Sequence, residues 1–177
     1  MKKLLMLTFA LLLAGACAHG THPMAMATLS STSGSTAQGM VHFEETAADT
    51  VEVTADITGL APNSVHGFHL HDKGDCGDNG NAAGGHFNPT AMPHGAPDAA
   101  SHHAGDFGNV TADDKGEVHI HLSSHMITVS AGPSSVVGHA VILHGNPDDL
   151  TTQPSGNAGP RIACGVVEAH SMAGMQH

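Results

Sequence analysis

The sequence predicts an all-β domain, a sandwich or barrel of short strands, and three observations lead there. Val51-Glu52-Val53-Thr54-Ala55-Asp56-Ile57-Thr58 alternates apolar and polar residues without a fault, as a half-buried strand does. Beyond the first sixteen residues no stretch sustains the 3.6-residue period of an amphipathic helix. Short apolar runs recur instead, between turns that draw on 22 Gly and 9 Pro residues.

The chain opens on Lys2-Lys3, an apolar run from Leu4 to Leu13 and then small residues, the pattern of an export signal over residues 1–16. The run is shorter than the roughly 20 residues a spanning helix needs. Ala14-Gly15-Ala16 before Cys17 suits an ordinary A-x-A cut. It also resembles a lipoprotein box, in which Cys17 becomes the lipidated first residue and anchors the chain to a membrane. Ala14 stands where such boxes usually have Leu, but a short signal ending at a cysteine tilts the expectation toward lipidation. The expected compartment is the periplasm.

Residues 17–27, with His19, His22, Met24 and Met26, show neither strand nor helix period and are expected to form a flexible tether. A domain over 28–169 follows, then a second His/Met-rich tail over 170–177. Imidazole and thioether suit Cu(II) and Cu(I) respectively, so both ends are candidate copper binders. Within the domain, strands are predicted at 40–44, 51–58, 65–72, 118–122, 140–144 and 162–167. Segments 73–105 and 145–160 lack periodicity, and loops that long in a compact domain are functional or disordered. Both contain or adjoin histidines, which favours loops folded around metal.

Composition narrows the function. There are 17 His and 9 Met, no Trp or Tyr, and 5 Lys plus Arg against 16 Asp plus Glu, for a net charge of −11. Without Lys2 and Lys3, 3 basic residues face the 16 acidic ones and the net charge becomes −13. Nucleic acid is excluded as a partner, because phosphate binding needs clustered Lys and Arg. With Cys17 at the signal boundary, Cys76 and Cys164 remain as an even pair, and export makes a disulfide their default. Closing so long a loop stabilises by roughly 4–5 kcal/mol in the chain-entropy model.

Gly67-Phe68-His69-Leu70-His71 places two imidazoles on one strand face, with Phe68 and Leu70 directed to the core. That is half of a tetragonal nitrogen site of the kind Cu(II) prefers. Downstream, His86, His94, His103 and Asp106 supply three imidazoles and a carboxylate, the donor set of a structural zinc. His144 ends the strand Ala140-Val141-Ile142-Leu143 and adds a nitrogen that the zinc set does not need. His69, His71 and His144 with one shared imidazole would complete a copper site.

The motifs G-F-H-x-H, G-G-H-F-N-P, H-x-G-D-x-G-N, H-x-x-x-D-D and G-N-A-G-x-R-x-A-C-G occur in order from about residue 36 to 168. Together they resemble copper/zinc superoxide dismutase of the bacterial periplasmic kind. The resemblance implies a Greek-key β-sandwich or flattened barrel of about eight antiparallel strands with two long functional loops. It implies one copper on His69, His71, His86 and His144, and one zinc on His86, His94, His103 and Asp106, with His86 bridging the two. It also implies that Asp148 links a copper-site histidine to a zinc-site histidine, that Cys76 and Cys164 pair, and that Arg161 orients the superoxide anion. Dismutation to dioxygen and hydrogen peroxide by Cu(II)/Cu(I) cycling would follow, with His86 leaving copper and taking a proton on reduction. The alternative is a copper-binding or copper-buffering protein of the same fold. Relatives of this kind are monomers or homodimers, and the motif residues do not choose between them.

One departure stands out. The family often steers its substrate with lysines near the channel, and residues 145–160 contain none. Lys73, Lys115 and Arg161 are the cations left in the mature chain, so Lys73 is expected to help focus the anion. Among the other histidines, His66 is expected to be structural and His102 solvated. His119, His121 and His125 offer an adventitious surface metal site, and His42 and His139 have no assigned role.

Overall fold

The computed structural model describes residues 22–46 and 49–170. The export signal, Cys17 and residues 171–177 lie outside them. Eight antiparallel strands follow one another: β1 (Met24–Ser31), β2 (Gln38–Thr46), β3 (Thr50–Thr58), β4 (Val65–His71), β5 (Asp106–Thr111), β6 (Val118–Ser124), β7 (Ala140–His144) and β8 (Arg161–His170). Their lateral order is β5-β4-β7-β8-β1-β2-β3-β6, a nearly closed, flattened Greek-key barrel. The chain crosses from one side of the barrel to the other after β3, returns after β5 to place β6 beside β3, and crosses again after β6 to place β7 beside β4.

All six expected strands are present, most of them one or more residues longer at an end. Two others went unrecognised in the sequence. Met24–Ala27, expected within a flexible tether, is the first half of β1, where Ala25, Ala27 and Leu29 are buried. Alanine carries too little apolar surface to announce the alternation, yet here it fits where β1 packs inside the barrel. β5 begins on Asp106 itself and contains Gly108 at φ 78°, which breaks the usual strand composition. His170, expected in the tail, is the last residue of β8.

Alternating inward residues build one core inside the barrel, with Val41 and Phe43 of β2, Val53 and Ile57 of β3, and Phe68 and Leu70 of β4. β4 is buried along both faces after Val65, which an ordinary sandwich strand would not be. Its second face and that of β7 are covered by the two long loops. A small second cluster, Ala83, Ala140, Ile142 and Cys164, packs under the first of these loops. The Cys76–Cys164 disulfide pins that loop to β8, across 88 residues of sequence.

Candidate metal centre

Two groups of side chains converge where the loops close over β4 and β7. His69, His71, His86 and His144 form one; His86, His94, His103 and Asp106 form the other. In each, the four candidate ligand atoms lie within 4.8 Å of one another, and all seven residues are buried. His86 belongs to both. Every residue expected at the two metals from the sequence is therefore brought together.

Local structure explains the aim of each ring. His69 and His71 project together from β4 beyond a register shift between Gly67 and His69. His71 donates from Nδ1 to the Gly84 carbonyl at 2.9 Å, and His144 from Nδ1 to the Gly159 carbonyl at 3.2 Å. Each ring must then present a lone pair at Nε2, and the two Nε2 atoms face each other at 3.3 Å. Two opposed lone pairs repel unless a cation lies between them. Asp148 does the same for two further rings. Its Oδ2 accepts from His69 Nε2 at 2.8 Å and its Oδ1 from His94 Nε2 at 2.9 Å, which leaves both Nδ1 atoms as inward lone pairs.

The second group is tighter still. Asp106 Oδ1 lies 2.7 Å from His86 Nδ1, 3.1 Å from His94 Nδ1 and 3.3 Å from His103 Nδ1. Bonds of zinc length arranged tetrahedrally would set ligand atoms about 3.3 Å apart. Among the described residues, the buried side-chain nitrogens left without a hydrogen-bond partner are His69 Nδ1, His86 Nε2, His94 Nδ1 and His103 Nδ1. Each unmet group of this kind costs about 1–3 kcal/mol, so four side by side mark positions meant for ions. The donor chemistry fits a redox metal in the all-imidazole group and zinc in the other.

Burial sets the protonation states. Desolvation pushes His69 down to about 4, against the pull of Asp148, and His144 down to about 3; burial likewise holds His71 well below the usual range. Burial alone would raise Asp106, but its bond from His86 and the backbone N–H groups of His103 and Gly95 outweigh that and keep it ionised. His69, His71 and His144 are thus neutral, and Asp106 ionised, ready for cations at neutral pH.

A stability consequence follows for the metal-free protein. Because the folded-state values of His69 and His144 lie below the unfolded value of 6.5, the unfolded chain binds more protons between about 6.5 and 3–4. Stability is full above 6.5 and lost as pH falls through that window. His69 alone removes roughly 3 kcal/mol by pH 4. Urea unfolding of the chelated protein at pH 7, 5.5 and 4.5 checks this, and a flat profile would contradict it.

Arg161, first residue of β8, donates from its two terminal nitrogens to the carbonyls of Gly80 and Gly84, both at 2.5 Å. It is half-buried and lines, with His71, His86 and His144, a cleft of about 420 Å³. Gly84, at φ 75° and ψ −149°, adopts a conformation almost confined to glycine, and its carbonyl serves both His71 and Arg161. Gly156, at φ 65°, is needed for another reason, since a Cβ there would overlap Asp148 Oδ1.

Several supporting residues escaped the sequence. Asn109 holds the Asp148 backbone at both ends, its amide donating to the carbonyl at 2.8 Å and its oxygen accepting from the N–H at 2.7 Å. Gln153 does the same for His94. Asn109 closes the H-x-G-D-x-G-N motif, which was its signal; Gln153 had none. His66 is buried, and its Nδ1 lies 2.8 Å from the His144 carbonyl, as its structural expectation requires. His102, expected to be solvated, is partly buried, with Nδ1 2.8 Å from the His103 carbonyl. The expected surface trio of His119 and His121 on β6 with His125 just beyond it does not converge. His119 pairs with Asp56, His121 with Glu52 at 2.8 Å, and His125 lies 3.1 Å from the Thr50 hydroxyl.

Barrel and side-chain groups together define a β-barrel protein with two adjoining candidate metal sites that share one imidazole. The family model for copper/zinc superoxide dismutase matches residues 37–167, and the chain belongs to that family. A solved structure described as the clock protein EA4 superimposes with a TM-score of 0.76 at 39% sequence identity, covering 85% of this chain and 97% of its own.

Proposed function

We propose that the protein is a superoxide dismutase that works outside the cytoplasm, converting superoxide to dioxygen and hydrogen peroxide. The observation that carries this is the placement of a half-buried arginine in the same cleft as three of the four clustered imidazoles. Bound copper would supply one-electron redox chemistry and bound zinc an inert positive charge, with His69, His71, His86 and His144 holding the first and His86, His94, His103 and Asp106 the second.

The chain's own groups do the rest. Guanidinium stays charged at any relevant pH and presents a fixed fork of donors to a small anion. Its two carbonyl anchors hold that fork at the cleft. His86 lines the cleft, and its Nε2, buried without a hydrogen-bond partner, would carry a proton to reduced substrate. Asp148 holds His69 and His94 in one tautomer through the cycle.

The test is metal analysis with a dismutase assay before and after chelation. Copper and zinc near one per chain, with activity lost on chelation and restored by both ions, is the expected result. Arg161→Ala should lower the rate about tenfold and weaken its dependence on ionic strength. Lys73→Ala should act in the same direction with a smaller effect. Full metal loading with no turnover would favour the second reading, a copper-binding protein of the same fold; the naming of a similar structure as a clock protein is what keeps it in view.

The signal over 1–16 and the disulfide support export to the periplasm. Anchoring through a lipidated Cys17 belongs to the same proposal. Intact mass of the mature chain from the membrane fraction would test it, and an unmodified mass would remove the anchor.

A further inference from the structure

The outer face of β8, β1 and β2 carries a group of soft donors that neither histidine group uses. β1 buries Ala25, Ala27 and Leu29 and so turns Met24 and Met26 outward. β2 buries Val41 and Phe43 and turns Met40 and His42 to the same side. Register makes them neighbours. Met26 lies directly opposite His42, Met24 opposite His170, and Met40 is the next outward residue along β2 from His42. Directly opposed residues have Cβ atoms about 4.5–5.5 Å apart, and diagonal ones about 7–8 Å. A methionine side chain turns about three bonds and spans either gap. One ion can therefore touch Met26, Met40 and His42 at once.

The composition of this face is unusual for its place. Outward positions of a half-solvated sheet are normally polar, yet three half-buried thioethers stand here. Contact surfaces also enrich methionine but deplete charge at their centre, whereas this patch is bordered by Glu44 and Glu168 and contains two imidazoles. Among the described residues no hydrogen bond or ion pair engages the His42 ring, so its nitrogens are available. Thioether with imidazole selects Cu(I) over Zn(II), and the acidic chain draws cations toward its surface.

We propose that Met26, Met40 and His42 form a surface site for Cu(I), with Met24 and His170 as adjacent donors. The site lies on β1 and β2, whereas the buried histidines hang from β4, β7 and the long loops. It binds an ion without electron transfer, and it stands whether or not dismutation is the protein's activity.

The experiment uses the full chain with its buried groups already loaded with copper and zinc and its methionine methyls labelled with carbon-13. Ag(I), a redox-inert stand-in for Cu(I), is titrated in. The methyl signals of Met24, Met26 and Met40 should move at the first equivalent, while that of Met126, packed against the core, stays still. The triple variant Met26→Leu, Met40→Leu, His42→Asn should bind Ag(I) at least about tenfold more weakly. His42→Asn alone, half-buried on β2, should weaken it about threefold and covers the case in which the triple variant misfolds. Unchanged affinity in both would overturn the site and place the ion on donors beyond these strands. Unmoved methyl signals, with sedimentation altered in the variant, would overturn it too and make the face a contact between copies.

Discussion

His86→Ala is expected to cut dismutase activity at least about 100-fold and to lower the copper and the zinc content together. His86 is the one residue common to both groups, with Nδ1 2.7 Å from Asp106 Oδ1 and Nε2 turned toward the other imidazoles. A ring that served one ion only would, on removal, leave the other in place. Metal content by mass spectrometry, with circular dichroism to show that the barrel persists, separates the two cases. Normal occupancy of either metal in the folded variant would show that the ring is not shared.

Asp148→Ala should be nearly as damaging although Asp148 is in neither group. Its carboxylate fixes the outer nitrogens of His69 and His94, and its burial is supported by Asn109 and by the Leu150 N–H. Removing it leaves two buried imidazole N–H groups unmet, at about 1–3 kcal/mol each, and frees both rings to take the other tautomer. Affinity for each metal should fall roughly 10–100-fold. Competition with a chelator of known affinity reads both ions. A loss confined to one ion would show that Asp148 supports only one ring. Asp148→Asn should recover little, because an amide can accept at one atom only while the carboxylate accepts at two.

Much of the centre was legible in the residues themselves. His69 and His71 fall on one strand face by parity alone, and the interior positions Phe68, Leu70, Val141 and Leu143 are buried as that parity requires. The supporting shell was less legible. The groups that aim His71, His144 and Arg161 are backbone carbonyls of Gly84, Gly159 and Gly80, and a carbonyl has no residue identity to read. β1 was hidden for a related reason, since Ala25 and Ala27 carry little hydrophobic signal although the barrel buries them completely.

Residue types and their spacing by themselves determined the donor chemistry, the strand parity of the core and the pairing of the two cysteines that follow the signal. The tertiary structure alone decided which lone pairs meet and which outward side chains become neighbours. Met26 and His42 are 16 residues apart in sequence and Met24 and His170 are 146 apart, yet each pair is opposed across a strand boundary. Sequence patterns report a residue's local environment, whereas a site of several donors is set by strand register and by the hydrogen bonds that fix each ring, and those exist only once the barrel has closed.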